Sequence, residues 1–149
     1  MLKITSKGRY GTRLMLRLAL RYGEGPMLLK QIGEIEGISV RFLEQIVPAL
    51  KTTQLIRSTR GAKGGYALAK APAEISLRTI IEALEGPIVT ADCITVAELC
   101  GKSISCVTRE IWRELGDNIA STLDSYTLED MANMHRQRNI EASSGSQLS

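Results

Sequence analysis

The chain of 149 residues fits one domain with an appendage, and at 44% hydrophobic it can fill a core of its own. No apolar run approaches a membrane span, the start MLKITSKGRYG has no apolar signal-like region, and three cysteines are an odd count for a disulfide framework. A cytoplasmic protein with reduced thiols is therefore expected, without a membrane partner. Net charge is only +3, but residues 1–70 carry 13 Lys and Arg against 4 Glu, and residues 71–149 carry 6 against 12 acidic residues. So basic a first half points to a polyanion as partner.

Residues 5–22 read as a first helix, with Leu14, Met15, Leu18 and Ala19 on an apolar face and Arg13, Arg17 and Arg21 on another. Gly23, Gly25 and Pro26 end it. Ser6, Lys7 and Arg9 at its start are candidates for phosphate contact, because helix N-termini and basic side chains both favour anions.

Two short helices are predicted next. The first, LLKQIGEIEG, has Leu28, Leu29, Ile32 and Ile35 as its apolar set and Gly37 as its stop. The second, SVRFLEQIVPALKTT, has Ser39 as N-cap and Phe42, Leu43, Ile46 and Leu50 as its buried stripe. The short glycine-containing connection between them is the layout of a helix-turn-helix, whose second helix can enter the major groove. Burying that stripe leaves Arg41, Glu44 and Gln45 outward, where Arg can pair with guanine, Gln with adenine, and Glu with the cytosine amine. Pro48 cannot donate to the carbonyl of Glu44, so a kink or early end is expected there.

Residues around Ile56–Thr59 and Tyr66–Leu68 read as two strands joined by the basic glycine-rich turn RGAKGG. This is a two-stranded wing with Arg60 and Lys63 at its tip, able to reach the minor groove or phosphates. The same turn is a poor nucleotide-phosphate loop, since it lacks the required Gly-Lys-Ser/Thr spacing and leads into a strand. Residues 76–85 form a helix capped by Ser76 and ended by Gly86-Pro87, expected to pack the wing against the later helix and to carry no chemistry.

TSKGRYG near the start, GIS followed two residues later by FLEQI, and RGAKGGY in the wing together resemble the IscR-type iron–sulfur cluster regulators and their wider family of winged-helix repressors. The resemblance covers about residues 1–130. It implies a dimer that binds double-stranded promoter DNA and a cysteine-ligated cluster, of the [2Fe-2S] type, used to control iron–sulfur assembly genes. It also implies roles for Glu44 in discriminating DNA sites and for Arg60 in the wing.

All three cysteines fall in CITVAELCGKSISC, residues 93–106. On one helix Cys93 and Cys100 would share a face and Cys106 would lie well round the other side, so the stretch must turn to converge three thiolates. Gly101-Lys102-Ser103 can supply that turn. Thr95-x-x-Glu98 reads as a capping box for a short helix presenting Cys100, and Ser105 as the cap of the next helix, with Cys106 in its first turn. Three cysteines so close suit a soft metal or an iron–sulfur cluster, with zinc or free redox thiols as alternatives. A fourth ligand is not evident. Where the family has a histidine three residues after its last cysteine, this chain has Arg109. His135, Asp92, Glu98, Glu110, Ser103, Ser105 or a residue of the partner subunit are the remaining donors.

Residues 106–126 form the longest helical pattern, with Val107, Ile111, Leu115, Ile119 and Leu123 recurring every four residues and Trp112 and Tyr126 adding bulk. Such a stripe needs a partner, and the same helix of a second subunit is the simplest one. Thr127-x-x-Asp130 caps a final short helix.

The expectation is thus a mainly α protein: a winged helix-turn-helix DNA-binding domain over 1–86, a cysteine-containing cluster loop over 87–106, a long dimerisation helix and a short helix over 107–134, and a disordered tail over 135–149. Its role is that of a DNA-binding regulator without catalytic residues or a small-molecule substrate. A nitric-oxide or redox sensor of the same family is the nearest rival. A thiol enzyme using His135 is a more distant one, since no substrate pocket is legible.

Overall fold

The computed structural model describes residues 3–96, 98, 101 and 105–146; Cys100 lies outside them. Seven helices and one hairpin follow in the order α1 (Ser6–Leu20), α2 (Leu29–Glu36), α3 (Val40–Thr52), β1 (Ile56–Thr59), β2 (Gly65–Leu68), a 3-10 turn (Pro72–Glu74), α4 (Leu77–Glu85), α5 (Asp92–Thr95), α6 (Val107–Asp124) and α7 (Leu128–Ser146). The mainly helical architecture with a two-stranded wing matches the expectation.

Helix α1 is the centre of the packing. Thr5 caps it, its hydroxyl accepting from the N–H of Gly8, and Leu14, Met15, Leu18 and Ala19 are buried as the periodicity predicts. Two glycines on the same helix do something the apolar pattern does not reveal. A Cβ on Gly11 would lie 2.4 Å from Leu84 Cδ1, and one on Gly8 would lie 2.4 Å from Glu85 Oε1. Both glycines therefore let the Leu84 and Glu85 side chains of α4 lie directly on the backbone of α1. There the carboxylate of Glu85 accepts from the N–H (2.7 Å) and hydroxyl (2.5 Å) of Thr5.

Helices α2 and α3 form the helix-turn-helix. Gly37 ends α2 in the left-handed conformation, with φ +66°. Gly33 makes the turn tight, because a Cβ there would meet the carbonyl of Ile38 at 2.6 Å. Of the apolar set assigned to α2, Ile32 is buried and Leu29 packs on the core. Leu28 and Ile35 are exposed instead. The helix has only eight residues, so one turn's worth of face meets α3 and the ends do not.

Ser39 caps α3, its hydroxyl accepting from the N–H of Phe42 at 3.2 Å. Leu43, Ile46, Val47 and Leu50 are buried, whereas Phe42 is half-buried. The expected early end at Pro48 does not occur: α3 runs on to Thr52. Pro48 and Glu44 lie on the exposed side, where solvent can satisfy the carbonyl that proline leaves unpaired.

The wing strands pair antiparallel, with Ile56 opposite Leu68 and Thr59 opposite Gly65. Tyr66 also exchanges both backbone bonds with Met27 (2.7 and 2.8 Å), which tacks the hairpin to the segment before α2. Gly65 has φ +135°, and a Cβ there would lie 2.3 Å from the Met27 carbonyl.

Helix α4 packs on α1, α3 and α6 rather than between the wing and the later helix. Helix α7 is the second departure. It begins at the predicted capping box, with Thr127 N–H donating to Asp130 at 2.9 Å and Asp130 N–H to the Thr127 hydroxyl at 3.1 Å. It then continues to Ser146, through the stretch expected to be a disordered tail. Local pairs sustain it, such as the hydroxyls of Ser143 and Ser144 donating to carbonyls four residues back. Its buried Leu128 belongs to the core of the head, so the start of α7 shares one hydrophobic centre with residues 1–86.

Replacing Gly11 with Ala forces α4 away from α1. The expected loss is about 1–3 kcal/mol, the usual cost of overpacking a tight contact. Urea unfolding of the variant checks it, and an unchanged midpoint would mean that Leu84 has room to give.

Candidate DNA interface and cysteine segment

The candidate DNA-contacting residues lie at the start of α1, on α3 and its cap, and at the tip of the wing. Ser6, Lys7, Arg9, Ser39, Arg41, Glu44, Gln45, Arg60 and Lys63 are all exposed. The start of α1 is held beside the start of α3 by Tyr10, whose ring meets Phe42 edge-on with centroids 5.5 Å apart. Arg9 and Arg13 lie 5.6 and 5.8 Å from the same ring. Thus the side chains at both helix starts are displayed together, and the wing follows directly from α3.

The basic first half divides by role. Arg13 and Arg17 are not free cations: both grip the largely buried carboxylate of Glu36, at 3.0 and 2.8 Å, and Arg13 also donates to the Glu36 carbonyl at 2.6 Å. They staple α1 to the end of α2. Arg21 pairs with Glu24 at 2.6 Å. Lys7, Arg41, Lys51, Arg57, Arg60 and Lys63 have no ion pair among the described residues, and their charge is available to a polyanion.

The N-terminus of α1 itself is already occupied by an anion. The exposed carboxylate of Glu85 takes the N–H and hydroxyl of Thr5, so contact to phosphates there falls to the side chains of Ser6, Lys7 and Arg9 and not to the backbone of Thr5.

The cysteine segment is built differently from the sequence reading. Its first helix is α5, Asp92–Thr95, one turn that carries Cys93 and has Thr95 as its last residue; the short helix expected to present Cys100 lies outside the described residues. Thr95 donates backward to the carbonyl of Asp92 at 3.1 Å. Cys106 occupies the cap position of α6 in place of Ser105 and adopts an extended backbone. Its thiol lies at the start of α6, within reach of the Thr108 side chain and of the first N–H groups of the helix. Cys93 and Cys106 are both unbonded to other sulfurs and half-buried.

Arg109 joins the two. Its Nε donates to the Cys93 carbonyl at 2.8 Å, and its backbone N–H and charge bear on the Cys106 thiol. The Cys106 thiol is held below the ordinary cysteine range, first by the Thr108 hydroxyl 3.1 Å away and then by the Arg109 N–H. The residue standing at the expected histidine position is therefore a tie between the two cysteine-bearing elements, and a guanidinium does not ligate metal. His135 lies on α7, with Nε2 3.2 Å from Asn139 Nδ2. Among the described residues no three His, Cys, Asp or Glu side chains are grouped to hold a metal ion, Cys100 lying outside that set.

The segment is anchored upstream as well. The Thr90 hydroxyl donates to the Trp112 carbonyl on α6. Helix α6 turns Gly116 and Ala120 inward and leaves its apolar stripe bare, with Val107 68% and Ile111 51% exposed. No described helix is long and apolar enough to cross a membrane.

The helix-turn-helix and the wing, each carrying exposed cations, define the class of winged-helix transcriptional regulators. The chain belongs to the Rrf2 family, described as iron-dependent transcriptional regulators, whose profile matches residues 4–134. It is 41% identical over 131 residues to the transcriptional regulator CymR of Bacillus subtilis, covering 88% of this chain and 90% of that one. It is 37% identical over 139 residues to IscR of Pectobacterium atrosepticum, covering 93% and 84%. The solved structure titled as CymR, the global cysteine regulator of B. subtilis, superposes with a TM-score of 0.76 at 42% identity, over 90% of this chain and 98% of that one.

In metal-free protein the Cys106 thiolate is present at a lower pH than that of an ordinary cysteine, because its folded-state pKa is depressed. Its alkylation by iodoacetamide should rise through a midpoint below the free-thiol value, and Thr108→Val should move that midpoint up. A Thr108→Val profile superimposable on wild type would remove the hydroxyl as the cause.

Proposed function

We propose that the protein is a homodimeric repressor of iron–sulfur assembly genes, acting on promoter DNA in the cytoplasm and sensing cluster status through Cys93, Cys100 and Cys106. The DNA half of this reading rests on the exposed residues Arg41, Glu44 and Gln45 of α3 and on the exposed wing cations Arg60 and Lys63. Arg41 and Gln45 are assigned to base edges and Lys7, Arg9 and Lys63 to phosphates, with Ser6 and Ser39 as neutral backbone contacts. Glu44 rejects bases that offer it no donor, and Arg60 enters the minor groove. Dimerisation is assigned to the bare stripe of α6, which a second copy would cover and so set two recognition helices on a two-fold site.

The observation that carries the sensing half is the junction at Arg109. It holds two cysteines from separate elements, both half-buried and free, at the ends of the segment that contains the third. This donor set fits three thiolate ligands of a [2Fe-2S] cluster, leaving the fourth to a group other than Arg109. Bound there, the cluster would supply a redox- and supply-dependent charge beside α6. Thr108 and Arg109 favour the thiolate form that ligation needs.

Anaerobic purification followed by iron and acid-labile sulfide assays tests this. A brown protein with about equal iron and sulfide, lost in Cys93→Ala and Cys106→Ala, is expected. A colourless protein that resists reconstitution would sink the cluster. It would favour a second reading, a cysteine-responsive regulator without one, to which the similarity to CymR points. Titration of the holo-protein with nitric oxide against oxygen separates cluster-supply sensing from the nitric-oxide alternative. For the DNA half, Gln45→Ala should relax base preference at one position of a selected site, by about 1–3 kcal/mol of discrimination.

A further inference from the structure

Between α3 and the wing lies a hollow of about 390 Å³ lined by Glu44, Val47, Pro48, Lys51, Thr52 and Tyr66. None of the assignments above uses it, apart from Glu44 at its edge. We propose that it is the seat of the sugar–phosphate strand that runs between the two grooves, with Lys51 and Tyr66 as its phosphate contacts. This rests on the reading of α3 as the major-groove helix.

The argument is first geometric. A protein that sets one helix in the major groove and a hairpin in the adjoining minor groove must straddle one sugar–phosphate strand. The space between α3 and β2 is where that strand passes. The second part is chemical. Lys51 is exposed, one turn beyond Pro48 on the outward side of α3, and has no ion pair among the described residues. Tyr66 is locked in place: its backbone pairs with Met27 and its ring packs against the core. Its hydroxyl has no hydrogen-bond partner among the described residues. A pre-positioned neutral donor and a free cation suit a phosphate. Val47 and the proline ring offer apolar surface of the kind a deoxyribose face needs. Pro48 gains a role here, since its ring sits where a longer polar side chain would fill the hollow.

The test uses the full-length protein and a duplex selected by it from a randomised pool, with binding measured by fluorescence anisotropy across a salt series. Lys51→Gln should lower affinity about 3- to 10-fold and reduce the slope of log K against log salt by about 0.9 for each subunit bound. Tyr66→Phe keeps the ring and should keep the thermal midpoint. It should lower affinity about 3-fold with the slope unchanged, because a neutral hydroxyl displaces no counterion. Both losses should be equal on the selected duplex and on a scrambled one. Arg138→Gln, on the exposed far part of α7, serves as the general-charge control. A Lys51→Gln slope change no larger than that control, or loss confined to the selected duplex, overturns the proposal. If Gln45→Ala and Arg41→Ala leave sequence preference intact, the reading of α3 has failed. If they abolish it while Lys51→Gln and Tyr66→Phe bind as wild type, the hollow alone has been misassigned.

Discussion

The close approach of α4 to α1 is the contact on which the remaining geometry hangs. It exists because Gly8 and Gly11 have no side chain to hold the helices apart. Without it Glu85 would not reach Thr5, and the first turn of α1 would start unanchored. The same approach leaves α4 able to touch α3 on one side and α6 on the other, so a single four-turn framework carries the DNA face and the cysteine segment at once.

That framework gives the cysteine segment fixed ends. Upstream, Glu85 is held at α1, and Gly86 follows in a conformation with φ +87° that only glycine adopts readily. Thr90 is then bonded to α6 at Trp112, and Cys93 to α6 at Arg109. Downstream, Cys106 is the first residue before α6. Both terminal cysteines thus address the N-terminal turns of one helix. Hydrogen bonds at Glu85, Thr90 and Cys93, linked by the chain between them, therefore tie the cysteine segment both to the start of α1 and to α6.

Helices, wing and turn were legible because each is carried by local chemistry: Ser39, Ser76 and Thr127 as caps, Gly37 as a stop, and apolar residues at period 3.6 in α1 and α3. What escaped the sequence is non-local. Gly8, Gly11 and Gly33 look permissive in a helix pattern, and only the neighbouring backbone or side chain shows that they are required. Arg13 and Arg17 read as basic surface until Glu36 is placed between them. Helix α7 has almost no apolar periodicity beyond its first turns, so pattern alone read its polar second half as a tail. The cap of α6 was displaced by one residue because Ser105 is the better cap by propensity, while the actual cap is the cysteine.

That displacement bears on the chemistry. A serine cap would spend its oxygen on the α6 N–H groups and place Cys106 inside the first turn. With the cysteine at the cap, its sulfur takes that place, facing the Thr108 hydroxyl and the Arg109 N–H of α6, both able to donate. Donors favour a thiolate, and a thiolate is the form in which cysteine binds metal, exchanges disulfides or meets an oxidant. The local backbone therefore sets at the cap, in place of serine, a sulfur whose thiolate form these donors favour. Arg109, by closing on Cys93 as well, keeps that sulfur in register with the other end of the segment.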